Sequence, residues 1–375
     1  MKERILFLIL FYMVSFGAEG SPQLPLAAND TIHHCVAPAD TLAVKEEKTK
    51  EKKNFFKKII DSFNDFDHNY IEPNHYNYAL MMQNGNFFQS YRLTSRHQHN
   101  NTKQSIRLSP GPSFKVGPYF GWRWIFLGYM FDVGRPNEAA KTTQFNLSLY
   151  SSMVGVDFLY IRNTGKYFIK SIDGFPNVET KDVKDMSFNG MNSYTFALNA
   201  YYVFNHRHFS YPAAHSQSTV QRRSCGSWML GFTYDHQRVA YDGQKLPPQI
   251  DQGTIDPALQ QAKIKYDNYS ISFGYAYNWA FARNCLFSIS VMPALGYKKQ
   301  ANKKTSIPDD IWKNAKNLNF NVITRAAVVW NNTKWFAGVS FVNHTYDFKN
   351  DDLQIDNFVT FLNVYAGFNF KRRKR

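Results

Sequence analysis

The stretch "YDNYSISFGYAYNWAF", residues 266–281, alternates large and small side chains without a break. Tyr269, Ile271, Phe273, Tyr275, Tyr277, Trp279 and Phe281 fall on one face. Asn268, Ser270, Ser272, Gly274, Ala276, Asn278 and Ala280 fall on the other. Successive strand residues point to opposite faces, so a period of two predicts a strand with one apolar side and one small or polar side. A usual globular strand has roughly 5 or 6 residues, whereas a tilted strand crossing a bilayer needs about 9 to 11 with some overhang. Length therefore favours a membrane strand.

The next segment repeats the pattern, with Phe287, Ile289, Val291 and Leu295 set against Ser288, Ser290, Ala294 and Gly296. Similar alternation covers 194–204, 228–234, 318–330, 335–346 and 358–370. The connections between these segments alternate in length. A charged loop at 347–357 is preceded by a tight turn at 330–334, a long loop at 299–317, a tight turn at 282–284 and a long loop at 240–265. Outer-membrane barrels alternate long outer loops with short periplasmic turns in this way.

Carrying the parity forward predicts twelve strands, at 77–93, 104–116, 122–132, 143–150, 154–163, 192–205, 227–239, 266–281, 285–298, 318–330, 334–346 and 358–370. The expected fold is all-β: a closed antiparallel transmembrane β-barrel of about twelve strands, with ten or fourteen open, and both termini periplasmic. "QNGNF" at 83–87 reads as a hairpin or as continuous strand, and Ser151-Ser152 likewise. Residues 206–226 are long where parity calls for a short turn. Either they carry a small hairpin of their own or the count slips there.

In "GPYFGWRWIFLGYMFD", 117–132, the strand expected from 122 follows a glycine-rich turn. Trp122, Trp124, Phe126 and Met130 are expected to face lipid, with Arg123 and Tyr129 inward. Trp and Tyr favour the water–lipid boundary, and strand-to-strand hydrogen bonds satisfy the backbone, so no helix is needed.

Composition agrees with export. Lys2 and Arg4 precede an apolar run, Ile5 to Phe16, and small residues follow at Gly17, Ala18 and Gly20, so residues 1–20 read as a signal peptide. Mean hydropathy is −0.45, and no later window reaches the length of a membrane helix. Aromatics make up 17% of the chain, with 33 Phe and 23 Tyr. Residues 21–68 read as a linker ending in an amphipathic helix at about 45–63, with Phe55, Phe56, Ile59, Ile60 and Phe63 at helical spacing. The barrel is expected over 69–375.

Net charge is +15, much of it in "KEEKTKEKKNFFKK" at 45–58 and "KRRKR" at 371–375. A nucleic-acid reader would interleave its basic residues on one structured face; charge in tails favours solvation, or attraction to anionic head groups and polysaccharide. Outer-membrane lipid or lipopolysaccharide and the barrel-assembly machinery are the expected partners, and nucleic acid is not. The three cysteines, Cys35, Cys225 and Cys285, imply no disulfide framework. His33 and His34 beside Cys35 offer zinc-type ligands, but adjacent residues cannot all point at one ion. No cofactor or metal is expected.

"NYIEPNHYNYALMMQN" at 69–84 and "GPYFGWRWIFLGYMFD" at 117–132 resemble the signature of an uncharacterised family of exported proteins from Gram-negative bacteria, known only as a domain of unknown function. The resemblance runs from about residue 65 to the C-terminus. It implies an outer-membrane barrel and carries over no catalytic residue. The end "YAGFNF" (365–370) is also similar to the terminal strand that assembly machinery recognises, although five basic residues follow Phe370.

The register places Arg123, Asp157, Asp235, Arg325 and Lys334 toward the lumen, with Ser340 and His344 on the same face of one strand. Such charges either pair across the lumen or form a selectivity ring, and pairing is the simpler reading. Ser340 and His344 stand roughly 13 Å apart at about 3.3 Å per residue, too far for a nucleophile–base pair at about 2.6 to 3.2 Å. Asn319 and Asn321 lie on the neighbouring strand. His236 follows Asp235 and so faces the other side. No phosphate loop, HExxH or CxxC signature is present. The expected role is a non-enzymatic barrel, acting as a narrow channel, a transporter or a surface-structural protein. The alternatives are a barrel-embedded lipid hydrolase and a soluble β-sandwich that binds glycans.

Overall fold

The structure is a computed structural model. It describes residues 66–96, 103–122, 125–133, 141–300, 318–349 and 352–373. The signal peptide expected at 1–20, the helix expected at 45–63 and Arg123 lie outside the described residues.

In chain order the first strands are β1 (Ile71–Pro73), β2 (Tyr76–Ser95), β3 (Ser105–Ser109), β4 (Ser113–Trp122), β5 (Ile125–Gly128), β6 (Phe131–Asp132), β7 (Lys141–Tyr150), β8 (Val154–Thr164) and β9 (Tyr167–Asp173). Helix α1 (Thr180–Val183), β10 (Ser187–Phe188), β11 (Met191–Val203), α2 (Tyr211–His215), β12 (Thr219–Gln221), β13 (Cys225–Asp242) and α3 (Pro257–Gln260) come next. The last strands are β14 (Gln261–Ala282), β15 (Cys285–Gln300), β16 (Leu318–Asn331), β17 (Trp335–Lys349) and β18 (Leu353–Arg372). Among the described residues, no helix is long and apolar enough to cross a membrane.

One antiparallel ladder runs β7-β8-β11-β13-β14-β15-β16-β17-β18-β2, and β4, paired with β5 and β6, continues it from the lower part of β2. β5 at one end of the ladder lies against β7 at the other, so the sheet curls round on itself. Among the described residues no ladder joins β5 or β6 to β7, so a seam stays open between them. The end carrying Tyr76 and Arg372 is the lower end.

β14 shows why the sheet faces as it does. Ile271 is 64% exposed and Trp279 53%, while Ser272 and Asn278 between them are fully buried. The same inversion recurs on β13, where Trp228 and Phe232 point outward and Ser227 and Thr233 inward. The polar face is the enclosed one.

The two ends are filled differently. At the upper end the last turns of β2 leave β4 and pair with β3, which pairs with β9, which pairs with β10. Tyr91, Leu93, Ile106, Leu108, Tyr167 and Phe188 are fully buried there, packed with Leu246 and Leu259 from the 243–260 connection. Gln104 donates to the Thr254 carbonyl at 2.6 Å and accepts from the Asp256 amide at 2.8 Å, tying that connection to β3. At the lower end residues 206–224 fold back into the lumen around α2.

Several local expectations are corrected. The strand expected at 104–116 is two, because Pro110 and Pro112 lack donors and Gly111 sits at φ 87°. The glycine-rich stretch after 117 is not a turn but part of β4, which runs on to Trp122. A Cβ on Gly117 would overlap the Tyr129 carbonyl oxygen, so glycine serves a close strand approach there. Trp122 pairs with Ile125, so the chain reverses between them and the parity of the residues beyond the turn inverts. Tyr129 is consequently 69% exposed, and Met130 turns inward, its Sδ accepting from the Tyr119 hydroxyl at 3.1 Å. "QNGNF" forms no hairpin: β2 is continuous through it, and Asn86 donates to the Leu362 carbonyl at 3.1 Å. Ser151 does make a turn, its hydroxyl accepting from the Val154 amide at 2.9 Å.

Candidate functional site

Three layers of side chains divide the lumen. The lowest is the plug. Ser210 caps α2 by accepting from the Ala213 amide, and Pro212 stands in its first turn, where no amide is missed. Phe209, Tyr211 and Ala214 are fully buried. Polar ties seat the segment: Asn278 donates to the Ser210 carbonyl at 2.8 Å, and Gln217 donates to the Tyr365 hydroxyl at 2.7 Å. β12 pairs with β1, and Arg222 binds Glu72 beside it.

The middle layer is an ion pair between distant walls. Arg325 on β16, 2% exposed, places Nη2 2.6 Å from Asp157 Oδ2 on β8. Asp157 also accepts from Ser148 at 2.8 Å and Tyr150 at 2.7 Å, so its carboxylate is well satisfied. The other arm of Arg325 donates to the Tyr211 hydroxyl at 3.2 Å, and the guanidinium lies 5.6 Å from the Tyr201 ring centroid. The charge pair thus reaches down into the plug. His215 on α2 lies 4.5 Å from the Tyr211 ring, with Nε2 buried and unpartnered. Burial, and then the Arg325 charge, push its pKa down to about 3.

The upper layer is an amide network. Asp235 accepts from Asn268 at 2.6 Å and Gln237 at 3.0 Å. Gln237 accepts from Asn357 on the far wall at 3.4 Å, Gln89 donates to Asn357 at 2.9 Å, and Asn163 donates to Gln89 at 2.6 Å. Buried amides need such partners, because an unpaired polar group away from water costs roughly 1–3 kcal/mol. The network runs from wall to wall beneath the apolar cap.

A cavity of about 220 Å³ lies between these layers. Gln83, Lys115, Gln144, Asn199 and Asn363 line it, with Ser340, His344 and the plug's His215 and Gln217. Ser340 accepts from Asn363 at 3.4 Å, and the His344 ring stacks 6.0 Å from Tyr346. Among the described residues no group of three His, Cys, Asp or Glu side chains is placed to hold a metal ion.

Of the expected lumen charges, Asp157 and Arg325 meet one another, and Asp235 lies apart in the upper network. Lys334 is exposed at the tight turn between β16 and β17, off the inner face, because Asn332 folds back to accept its amide at 3.1 Å and sets the turn. Sequence reasoning missed the plug. Its signal was there: a Ser-Tyr-Pro helix start and a buried-type run, Phe209 to Ala214, in a place where parity wanted a polar turn.

No curated protein sequence matches the chain. Among solved structures it is similar to the outer membrane protease OmpT of Escherichia coli, at 8% identity over 78% of this chain and 97% of that one, with a TM-score of 0.33. It is similar to the beta domain of the Bordetella autotransporter BrkA, at 9% identity over 76% and 99%, with a TM-score of 0.30. An outer membrane protein OmpT of Vibrio cholerae gives 8%, 76% and 97%, with a TM-score of 0.26. Likenesses of this size assign neither a strand count nor a role. The match that identifies the chain is to a family model covering residues 64–370: this protein belongs to the family described as Domain of unknown function (DUF4421).

Proposed function

We propose that this chain is a non-enzymatic outer-membrane β-barrel of twelve strands that is sealed at rest and holds an ordered cap at the cell surface, with both termini periplasmic after export. The twelve are β2, β4, β5 with β6, β7, β8, β11 and β13 to β18, and closure falls between β5 and β7. Support for closure is energetic. Each unpaired backbone group in hydrocarbon costs several kcal/mol, and these two edges already lie side by side. Support for the membrane is the outward apolar band. From Ile271 to Phe281 the chain rises about 33 Å at about 3.3 Å per residue, and a strand tilt near 40° turns that into about 25 Å, the height of an outer-membrane band.

One observation carries the sealed reading over a standing channel: plug, ion pair, amide network and cap each occupy the lumen in turn. The refolded full chain is expected to need detergent, to migrate faster on SDS gels before boiling than after, and to give no steady conductance in planar bilayers. Steady conductance of the wild-type chain overturns the sealed reading. A soluble monomer without detergent overturns the membrane.

A further inference from the structure

Above the outward apolar band of one wall, the side chains turn basic in register. Arg162 on β8 pairs directly with Tyr194 on β11, Tyr194 with Arg238 on β13, and Arg238 with Lys265 on β14. Three cations and one aromatic therefore stand in a single cross-strand row. Like charges directly opposite one another are unfavourable, and Arg238 against Lys265 is such a pair. In the adjoining row His236 pairs with Asp267, and Asp267 with Lys299. Asp267 is the one acid of the cluster, and it is already engaged, accepting from Tyr234 at 2.8 Å and lying 2.7 Å from His236 Nδ1. Among the described residues, Arg162, Arg238, Lys265 and Lys299 make no ion pair with a carboxylate. The pattern is local to this wall: on β17 and β18 Asp347 stands opposite Asp356, with Arg92 next to it.

The row is also braced. Arg238 Nε donates to His236 Nε2 at 2.9 Å, and its guanidinium lies over the Tyr194 ring at 5.5 Å. Arg238 is exposed, and neither contact uses its two terminal nitrogens; a guanidinium fork of that kind suits a phosphate. Directly below, Tyr160 packs on Tyr194 at 5.4 Å and Tyr234 on Tyr269 at 5.2 Å. Such a tyrosine girdle marks the hydrocarbon boundary. Arg238 stands four residues beyond Tyr234, about 10 Å higher at about 3.3 Å per residue and a tilt near 40°. Phosphate groups of a lipid lie at that depth.

We infer that Arg162, Arg238, Lys265 and Lys299, with Tyr194, form a site on the outer wall for the phosphorylated head group of a membrane lipid. The inference rests on the membrane placement proposed above. Apolar side chains below take the acyl chains, the tyrosines take the boundary, and the cations take the phosphate. A lipid rather than free phosphate is the occupant because the cations continue, strand by strand, directly above the aromatic face.

The full chain in an uncharged detergent tests this by native mass spectrometry, with bisphosphorylated lipid A, the same lipid stripped of phosphate, and inorganic phosphate as probes. Wild type is expected to retain the bisphosphorylated lipid. Arg238→Ala with Lys265→Ala weakens it roughly 30-fold and Arg162→Ala roughly fivefold, at ~1 kcal/mol per cation and 1.4 kcal/mol per tenfold. Lys334→Ala, a cation at the lower end, has no effect. Millimolar inorganic phosphate does not displace the lipid. Equal retention by wild type and double variant, equal retention of both lipids, or full displacement by inorganic phosphate overturns the site. All of these variants lie on the surface, and heat-modifiable migration shows that each has folded. A detergent-requiring barrel that fails to discriminate the lipids loses this site alone, whereas a chain soluble without detergent loses the membrane reading itself.

Discussion

Replacing Tyr211 by alanine tests whether the plug closes the cavity. Tyr211 is fully buried, and its hydroxyl lies 3.1 Å from Ser290 Oγ and 3.2 Å from Arg325 Nη1. Its ring packs 5.1 Å from Tyr201 and 4.5 Å from His215. In a displaced plug the side chain would be in water, so nearly all of this is lost from the seated state alone. Truncating a buried aromatic costs about 3–5 kcal/mol, and at 1.4 kcal/mol per tenfold the displaced fraction rises on the order of a thousandfold. The upper network and cap remain, so conductance is the wrong readout and access to the cavity the right one. With Cys35, Cys225 and Cys285 changed to serine and Ser340→Cys introduced in the cavity wall, a charged thiol reagent should label slowly in the parent. It should label on the order of a thousandfold faster in Tyr211→Ala, until opening itself limits the rate. Equal labelling rates in parent and variant, both folded by gel migration, would show that something other than α2 bars the cavity.

The same layers set other expectations. Arg325→Met leaves Asp157 buried without its cation and should destabilise the barrel by about 3–5 kcal/mol; adding Asp157→Asn should recover most of this, measured as the urea midpoint of the heat-modifiable band. His215 is neutral in the fold, with a pKa of about 3 against about 6.5 unfolded. Its contribution is therefore complete above pH about 6.5 and is lost as pH falls toward 3, by about 2 kcal/mol at pH 5. His215→Gln should flatten that part of the difference between urea midpoints at pH 7.5 and pH 5, and an unchanged difference counts against it. Gly274→Ala would drive a Cβ into the Val291 carbonyl oxygen between β14 and β15, so heat-modifiable protein should fail to form, while Ala276→Gly beside it should still fold.

What could be read in advance depended on the range of the forces involved. The long strands are local: alternation from Tyr269 to Phe281 falls within β14, and that from Phe287 to Gly296 within β15. A side chain's face is fixed by parity once a turn is placed, and that is where Met130 and Tyr129 were exchanged. Nothing within 117–132 distinguishes a glycine that turns from a glycine that lets two strands approach; the Tyr129 carbonyl opposite Gly117 decides it. The cap was illegible because β2 changes partner along its length, from β4 to β3, and a sequence does not announce where. The basic row needs the register of four strands at once, since Arg162, Arg238 and Lys265 lie far apart in the chain.

Water around the outer face of this sheet would be costly. On β14 alone Ile271, Phe273, Tyr275, Tyr277, Trp279 and Phe281 are each more than 40% exposed. Burying a large apolar side chain is worth about 1.5–3 kcal/mol, so leaving six of them partly in water forfeits several kcal/mol from one strand. The rows on β13 and β16 add to that, and a whole domain is stable by only about 5–15 kcal/mol. A soluble sandwich would cover those faces with a second sheet. Here the ladder curls the other way, enclosing Ser270, Ser272 and Asn278 and supplying partners such as the Ser210 carbonyl to Asn278. A chain that spends its interior on amides and hydroxyls and sets its aromatics outward is arranged for a solvent that is itself apolar.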